Sequence, residues 1–204
     1  MQTTYKTIER AASAEYSDRG SRFHAYAYPF EAASDLKALL AEIRGMHPKA
    51  THICFAYRLG SDAREFRSFD DGEPSGSAGR PILGQIDSRG LTQVLVVVVR
   101  YFGGTLLGIP GLIQAYRSAS ALALQLTPVV ERAVELPYCL QFDYTMMHTV
   151  MQLIKQCQCR IRTQDLQLFC QMDIDVPKSW QEPFLALLAD HPGIDCRLRP
   201  ESRA

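Results

Sequence analysis

The chain has 204 residues, of which 47% are hydrophobic, and its 22 Lys and Arg side chains balance 22 Asp and Glu. This length suits one large domain or two small ones, and the hydrophobic content is enough to bury a core. Residues 1–135 carry 15 basic and 14 acidic side chains, and residues 136–204 carry 7 and 8. This balance excludes the strongly basic class of dedicated nucleic-acid binders, but it is compatible with a local basic face.

The compartment follows from the absence of a signal core and from the cysteines. Residues 1–6 contain no apolar signal segment, and the longest apolar runs are too short to span a bilayer. We therefore expect a soluble, cytoplasmic protein with no membrane partner. The six cysteines should be thiols in that reducing compartment. Cys157 and Cys159 lack the spacing of a zinc site, so buried or half-exposed thiols are expected there.

The first half of the chain predicts strands and helices in alternation. A turn at residues 18–20 joins two alternating segments, and Ser34 or Asp35 caps a helix that ends before Pro48. The predicted strands cover 4–16, 21–28, 52–57 and the valine run at 94–99, and the predicted helices cover 34 or 35 to about 46, 81–88 and 111–126. The N-terminal part is therefore expected to contain both strands and helices.

An acidic loop, Asp70–Gly79, follows the third predicted strand. It contains three carboxylates, from Asp70, Asp71 and Glu73, among glycines, serines and a proline that favour turns. The carboxylates can pair with Arg80, with Arg100 or with a metal ion, although their spacing is not that of a calcium loop. A solvated loop without a ligand is the alternative that composition alone favours.

The valine run predicts a strand that is buried on both faces. Arg100 ends it, and a permanently charged side chain at the end of a buried strand must have a partner. Tyr101, Phe102 and the pair Gly103–Gly104 lead from this strand to the next helix, at a position where α/β proteins often bind ligands. The glycines match neither the dinucleotide fingerprint nor the phosphate loop, so a tight turn beside a structural ion pair remains the alternative.

The last third of the chain predicts a small second domain. Residues 128–137 form the boundary, and the pattern after it is simpler. Strands are predicted over 138–144, 160–163, 166–176 and 194–198, with helices over 146–157 and 179–189. The order is βαββαβ, which is typical of a ferredoxin-like unit. We therefore divide the chain into domains at 1–130 and 136–204.

These motifs together resemble the IMPACT family in its bacterial branch. The resemblance rests on the acidic loop and on residues 98–108, and the segments 21–23, 50–58 and 112–116 support it. It spans about residues 15–125. Pro110 stands where the family usually has glycine, which requires a backbone compatible with a fixed φ, and Ile53 stands where a polar residue is common. We therefore expect that no chemistry depends on a polar side chain at position 53.

The resemblance implies an α+β fold. Its N-terminal part is expected to be a two-layer α/β sandwich like domain IV of elongation factor G. Its ferredoxin-like C-terminal part is expected to resemble domain V of the same factor. Eukaryotic relatives restrain the amino-acid-starvation kinase pathway through an extra N-terminal domain, and that partner is not carried over to this chain.

Three functions remain open at this point. The first is a non-catalytic binding protein linked to translation regulation, which contacts the ribosome, RNA or a translation-associated protein. The second is an enzyme or sensor for a phosphorylated small molecule, held by Arg100 and the Gly103–Gly104 amides, with the three acidic-loop carboxylates on Mg²⁺. The third is a scaffold in which Arg100 only holds the acidic loop down. We favour the first function, which rests on the family resemblance, and keep the other two open because fold resemblance alone is a weak guide to function.

No catalytic set is predicted from the sequence. The five histidines are best explained as structural, and Ser75 and Ser77 have no evident base. We therefore expect no cofactor and no metal. We predict that Arg100 pairs with a carboxylate of the acidic loop and that Tyr101 and Phe102 flank the contact surface. The candidate binding residues are Asp70, Asp71, Gly72, Glu73, Arg80, Arg100, Tyr101, Phe102, Gly103 and Gly104.

Overall fold

The structure is a computed structural model, and it describes residues 2–199. These residues fall into two compact units. The larger unit holds residues 5–132, and the smaller unit holds residues 133–199 together with residues 2–4. The domain bounds drawn above stay predictions, and residues 1 and 200–204 within them lie outside the described part of the chain.

The larger unit combines strands with three long helices. Its strands are β1 (Thr4–Ile8), β2 (Ala12–Asp18), β3 (Ser21–Pro29), β4 (His52–Leu59), β5 (Glu65–Phe69), β6 (Val94–Tyr101) and β7 (Val129–Ala133). Its helices are α1 (Leu36–Met46), α2 (Gly79–Asp87) and α3 (Gly108–Gln125). Five strands form one sheet in the order β2-β3-β6-β4-β5, and every neighbouring pair is antiparallel. The strands β1 and β7 form a separate two-stranded sheet.

Helices cover both faces of the five-stranded sheet. Val96 and Val98 of β6 belong to the core under α2 and α3, whereas Val97 and Val99 belong to the core under α1. The expected two-layer sandwich is therefore wrong, because a strand that is apolar on both faces needs a helix layer on each. The predicted burial of the valine strand is confirmed, since residues 94–99 are fully buried. Its neighbours are antiparallel rather than parallel.

Several predicted elements differ in their bounds. The expected strand over 4–16 is two strands, because the chain leaves one sheet and enters another at residues 9–11. The strands β5 and β7 were not predicted; β5 is an exposed edge strand with mostly polar side chains, which gives no clear periodicity. Helix α3 begins at Gly108, so Pro110 lies in its first turn, where a missing N–H breaks no helical hydrogen bond.

The smaller unit has the predicted βαββαβ order. Its elements are β8 (Glu135–Asp143), α4 (Met147–Gln156), β9 (Arg160–Leu166), β10 (Phe169–Pro177), α5 (Gln181–Ala189) and β11 (Ile194–Leu198). The sheet order is β11-β8-β10-β9, and all pairs are antiparallel. Side chains of both helices pack with one face of this sheet in a second core. The predicted boundary at 128–137 is occupied by β7 and the start of β8.

The six cysteines are free thiols, as the sequence predicts. Within residues 2–199, no helix combines the length and the apolar content that crossing a bilayer requires.

Candidate functional site

Four loops meet at one end of the five-stranded sheet, which we call the loop end. The register pairs both Phe23 and His52 with Arg100, so the start of β3, the end of β6 and the start of β4 lie side by side. The end of β5 adjoins them because β5 pairs antiparallel with β4. The loop end therefore comprises the β2–β3 turn (19–20), the α1–β4 connection (47–51), the acidic loop and the β6–α3 loop (102–107).

Arg100 has the negative partner that its position requires. Its Nη1 donates to Glu73 Oε1 at 2.7 Å, and its Nη2 lies 3.5 Å from Ser21 Oγ. The guanidinium also lies over the rings of Phe23 and Phe102, at 5.6 Å from each centroid. Arg100 is only 5% exposed, and its Nε has no hydrogen-bond partner among the described residues. The predicted pair between Arg100 and the acidic loop is confirmed.

Glu73 is the centre of a buried polar network. Besides Arg100, the Tyr116 hydroxyl donates to Glu73 Oε1 at 2.8 Å, and His52 Nε2 lies 3.9 Å from the same oxygen. The Cys54 thiol donates to the carbonyl of Asp70 at 3.0 Å. Burial raises the pKa of the Tyr116 hydroxyl and of the Cys54 thiol far above their ordinary values, so both stay protonated. Two donors, from Arg100 and Tyr116, therefore converge on one carboxylate oxygen of Glu73.

Asp70 and Asp71 are bound by the main chain. The Asp70 carboxylate accepts from the backbone N–H groups of Gly76, Ala78 and Gly79 at 2.8–3.1 Å, which organises the loop and the start of α2. The Asp71 carboxylate accepts from the Ile53 N–H at 2.7 Å. These acceptors therefore serve the backbone of their own unit. The arrangement also explains why position 53 needs no polar side chain, since Ile53 contributes only its amide.

Glycine at position 103 is required by a close approach of two loops. A Cβ on Gly103 would lie 1.9 Å from the carbonyl carbon of Gly20 in the β2–β3 turn. The Gly103 N–H donates to Ser21 Oγ at 3.2 Å, so it is already occupied. Gly104 has a φ of +84°, in the region that glycine favours. The glycine pair thus builds a tight junction between β2–β3 and β6–α3.

The structure separates two residues that were predicted to flank one surface. Tyr101 and Arg100 are neighbours on β6, so their side chains lie on opposite faces of the sheet. The Tyr101 hydroxyl bonds His47 Nδ1 at 2.8 Å, on the face covered by α1. Phe102 remains beside Arg100 and is 46% exposed. Only Phe102 of the two therefore shares the side of the Arg100 network.

The exposed part of the loop end is apolar and cationic. Leu106 is 83% exposed and Ile109, in the first turn of α3, is 54% exposed. Arg19 and Arg22 are exposed on the β2–β3 hairpin. Arg80 is exposed too, and within residues 2–199 no ion pair to it is found. Sequence analysis did not single out Leu106 and Ile109, because an apolar residue near a buried strand looks like core.

The network members missed by sequence analysis are Ser21, His52, Cys54 and Tyr116. Alternation places His52 and Cys54 on β4 without showing which loop they meet. Ser21 lies 79 residues before Arg100 in the chain, so nothing local connects the two. Among the described residues, no group of three His, Cys, Asp or Glu side chains is arranged to hold a metal ion. The chemistry that this arrangement supports is binding through exposed side chains over a closed polar interior.

Comparisons with known proteins identify the family of the chain. The Impact N-terminal domain pattern matches residues 19–124, about half of the chain. The Escherichia coli IMPACT family member YigZ is 36% identical over 76% of each chain, and an IMPACT family member of Haemophilus influenzae is 32% identical over 91% of each. A crystal structure described as that of a hypothetical protein is 29% identical, covers 99% of this chain and 100% of its own, and has a TM-score of 0.77. The chain therefore belongs to the IMPACT family and is similar to its YigZ-like bacterial members.

Proposed function

We propose that this protein is a non-catalytic binding protein that acts on the translation machinery. It contacts the ribosome, RNA or a translation-associated protein through the loop end. The proposal depends on the exposure of Phe102 and Leu106 on the β6–α3 loop and of Ile109 in the first turn of α3, next to the buried Arg100–Glu73 pair. Membership of the IMPACT family supports the link to translation. We propose as well that the two units resemble domains IV and V of elongation factor G and that the protein is cytoplasmic.

The side chains at the loop end suit a macromolecular partner. The free energy of binding is favourable when a partner covers exposed apolar side chains on a rigid loop, because they are removed from water. Arg19 and Arg22 lie on the adjoining hairpin and suit phosphate groups. The Gly103–Gly20 contact fixes the loop before binding, so little conformational entropy is lost on association.

The acidic loop acts as scaffold in this proposal. Glu73 neutralises Arg100, and the carboxylates of Asp70 and Asp71 accept backbone N–H groups. A metal ion or a phosphate at these groups would have to displace bonds that the fold itself uses. The scaffold role of Arg100 is therefore one part of the binding function, because it holds the loop end in place.

One observation favours a small phosphorylated ligand as a second candidate. Arg100 Nε is buried and has no hydrogen-bond partner among the described residues, so it is a donor that an anion can use. Such a ligand would raise the melting temperature in proportion to its excess over Kd. Thermal melts with inorganic phosphate and with nucleoside monophosphates test this candidate, and unchanged melts across the millimolar range reject it.

Ribosome co-sedimentation at low salt tests the main proposal. The Phe102→Ser, Leu106→Ser double variant should lose association while its melting temperature stays within a few degrees of the parent. A matched control replaces Leu168 and Phe169 with Ser in the smaller unit, where these side chains are 75% and 78% exposed. The control should still sediment with ribosomes. Equal sedimentation of the two double variants would contradict the proposal.

The salt dependence distinguishes the kinds of partner. Contacts to RNA phosphates make the association constant fall steeply as salt rises, whereas an apolar protein contact depends on salt much less. Sedimentation between 50 and about 200 mM salt therefore separates an RNA contact from a protein contact.

A further inference from the structure

We propose that the larger unit carries a platform for single-stranded RNA on the α1 side of the five-stranded sheet, where alternate side chains of β3 stay half-exposed. The ring platform consists of His24, Tyr26, Tyr28, His47 and Tyr101. This inference rests on the proposed function and names single-stranded RNA as the ligand. Its rings differ from Phe102 and Leu106, and the two proposals share only Arg19 and Arg22, so substitutions of the rings and of the apolar loop residues test them separately.

The sheet register places the platform residues on one face. His24, Tyr26 and Tyr28 alternate along β3, so all three side chains lie on the same side, about 7 Å apart from one to the next. Tyr101 of β6 lies on that side too. The cross-strand neighbours on edge strand β2, Ser13 and Glu15, are exposed. The platform is therefore reached from solvent along its outer edge.

The rings form a continuous group. His24 lies 5.2 Å from His47 and 5.6 Å from Tyr101, measured between ring centroids. Tyr26 lies 5.7 Å from His47 and 6.3 Å from Tyr28, and the planes of these two tyrosines differ by only 13°. All five side chains are half-buried. The other ring pairs are tilted or edge-on, with interplanar angles of 35° to 84°. The half-buried and nearly parallel rings of Tyr26 and Tyr28 are therefore the faces on which unpaired bases can stack.

Hydrogen bonds fix the rings in place. The hydroxyls of Tyr26 and Tyr101 bond the two nitrogens of His47, at 2.6 Å to Nε2 and 2.8 Å to Nδ1. Burial and the nearby His24 lower the pKa of His47, so its ring is neutral near pH 7 and bonds one hydroxyl as a donor and the other as an acceptor. Rings held in this way do not lose rotational freedom when a base stacks on them.

The surrounding charges suit a short strand with few phosphate contacts. The Arg22 guanidinium lies 5.7 Å from the centroid of the Tyr101 ring, and Arg19 lies three residues earlier on the same hairpin. Glu15 lies 3.7 Å from His24, so the far edge is not cationic. Two cations predict a weak salt slope of about −1.4, because each phosphate contact contributes about −0.7 for a single strand.

The same chemistry argues against a protein partner on this face. The platform presents imidazoles and phenols with Ser13, Glu15 and Glu42 beside them, and its aliphatic neighbours Val97 and Val99 are fully buried. A protein interface core is depleted in charge, whereas these rings have Arg22, Glu15 and Glu42 beside them. Stacking on rings, with an arginine at one end, is instead how non-specific single-strand binders work.

Fluorescence anisotropy of a labelled oligouridine ten-mer with the full chain tests the platform. Tyr28→Ala should weaken binding about tenfold, since one stacked base is lost. Tyr28→Phe should bind like the parent, because the ring remains. Arg22→Ala should make the salt slope shallower by about 0.7. A duplex of the same length should bind at least about tenfold more weakly, because its bases are already stacked.

The outcomes are separable from those of the proposed function. Binding that is lost in Tyr28→Ala, kept in Tyr28→Phe and kept in Tyr144→Ala of the smaller unit supports the platform. The absence of saturable oligouridine binding, or equal affinities for Tyr28→Ala and the parent, overturns it even if ribosomes still co-sediment. Oligouridine binding without ribosome association supports the platform and rejects a ribosome contact through the loop end.

Discussion

The acidic loop and the β6–α3 loop lie at the same end of the five-stranded sheet. The acidic loop directs its charged groups into the unit, whereas the β6–α3 loop exposes apolar side chains to solvent. The acidic loop carries three carboxylates, and each accepts a hydrogen bond from inside its own unit. The β6–α3 loop carries no carboxylate, and its Leu106 side chain is almost wholly in solvent. The comparison shows that charged composition does not mark a ligand site when backbone amides and a buried guanidinium satisfy the charges.

Removing the buried cation would break the comparison most strongly. Arg100→Met leaves the Glu73 carboxylate buried without its ion-pair partner, so the free energy of unfolding should fall by about 3–5 kcal/mol. Urea unfolding followed by circular dichroism measures this loss. The exposed Arg80→Met is the matched control, with an expected change below about 0.5 kcal/mol. Equal midpoints for these two variants would show that Arg100 is not the anchor of the acidic loop.

The contact between the β2–β3 turn and the β6–α3 loop gives the next largest effect on stability. Gly103→Ala should destabilise by about 2–3 kcal/mol, because its Cβ would overlap the backbone of the β2–β3 turn. Gly84→Ala, within α2 where a Cβ meets nothing within 4 Å, should instead stabilise by about 0.5–1 kcal/mol. Thermal melts of both variants decide this, and shifts of the same sign would contradict the assigned close approach.

Substitution of Asp70 tests whether its carboxylate stabilises the acidic loop from within. Asp70→Ala removes an acceptor of backbone N–H groups at Gly76, Ala78 and Gly79, and should cost about 2 kcal/mol. It should also make the loop sensitive to limited proteolysis near Pro74. Ser75→Ala, an exposed change in the same loop, should leave the digestion rate as it is. If the loop in Asp70→Ala resisted proteolysis as the parent does, the Asp70 carboxylate would not be needed to hold the loop in place.

The thiols give the smallest effect and extend the comparison to the smaller unit. Burial raises the pKa of Cys159 to about 12 and that of Cys196 to about 11. Because only the thiolate reacts, alkylation by iodoacetamide at pH 8 should be over about a hundredfold slower than for free cysteine. The rate should rise about tenfold per pH unit until the pKa is reached. Mass spectrometry after alkylation, with a urea-unfolded control, measures both; fast native labelling would contradict this burial.

Sequence reasoning recovered the parts of the site that follow from one residue's own requirements. A charged side chain after a run of valines must be paired, so the Arg100 partnership was predictable. The choice of Glu73 over Asp70 and Asp71 was not, because it depends on the folded path of the acidic loop, in which Asp71 takes a φ of +46°. The βαββαβ order of the smaller unit followed from periodicity, although β9 is exposed at all but one of its residues.

The remaining features depend on contacts between distant segments. Ser21 and Tyr116 reach the Arg100 network from β3 and α3, and no local pattern points to them. The third layer was missed although the valine strand required it, because the family resemblance suggested two layers. Edge strand β5 has no buried residue, so its sequence carries no strand periodicity. Exposure of Leu106 likewise depends on which elements happen to cover it.

The most direct test compares ribosome affinity with stability in the Arg100→Met, Glu73→Gln double variant. The glutamine keeps an acceptor for Tyr116, and removing both charges leaves no unpaired ion, so the variant should be more stable than Arg100→Met alone. If the pair only anchors the loop end, the folded double variant should co-sediment with ribosomes as the parent does. Loss of sedimentation by a variant that melts like the parent would contradict the account, because the charges themselves would then contact the partner.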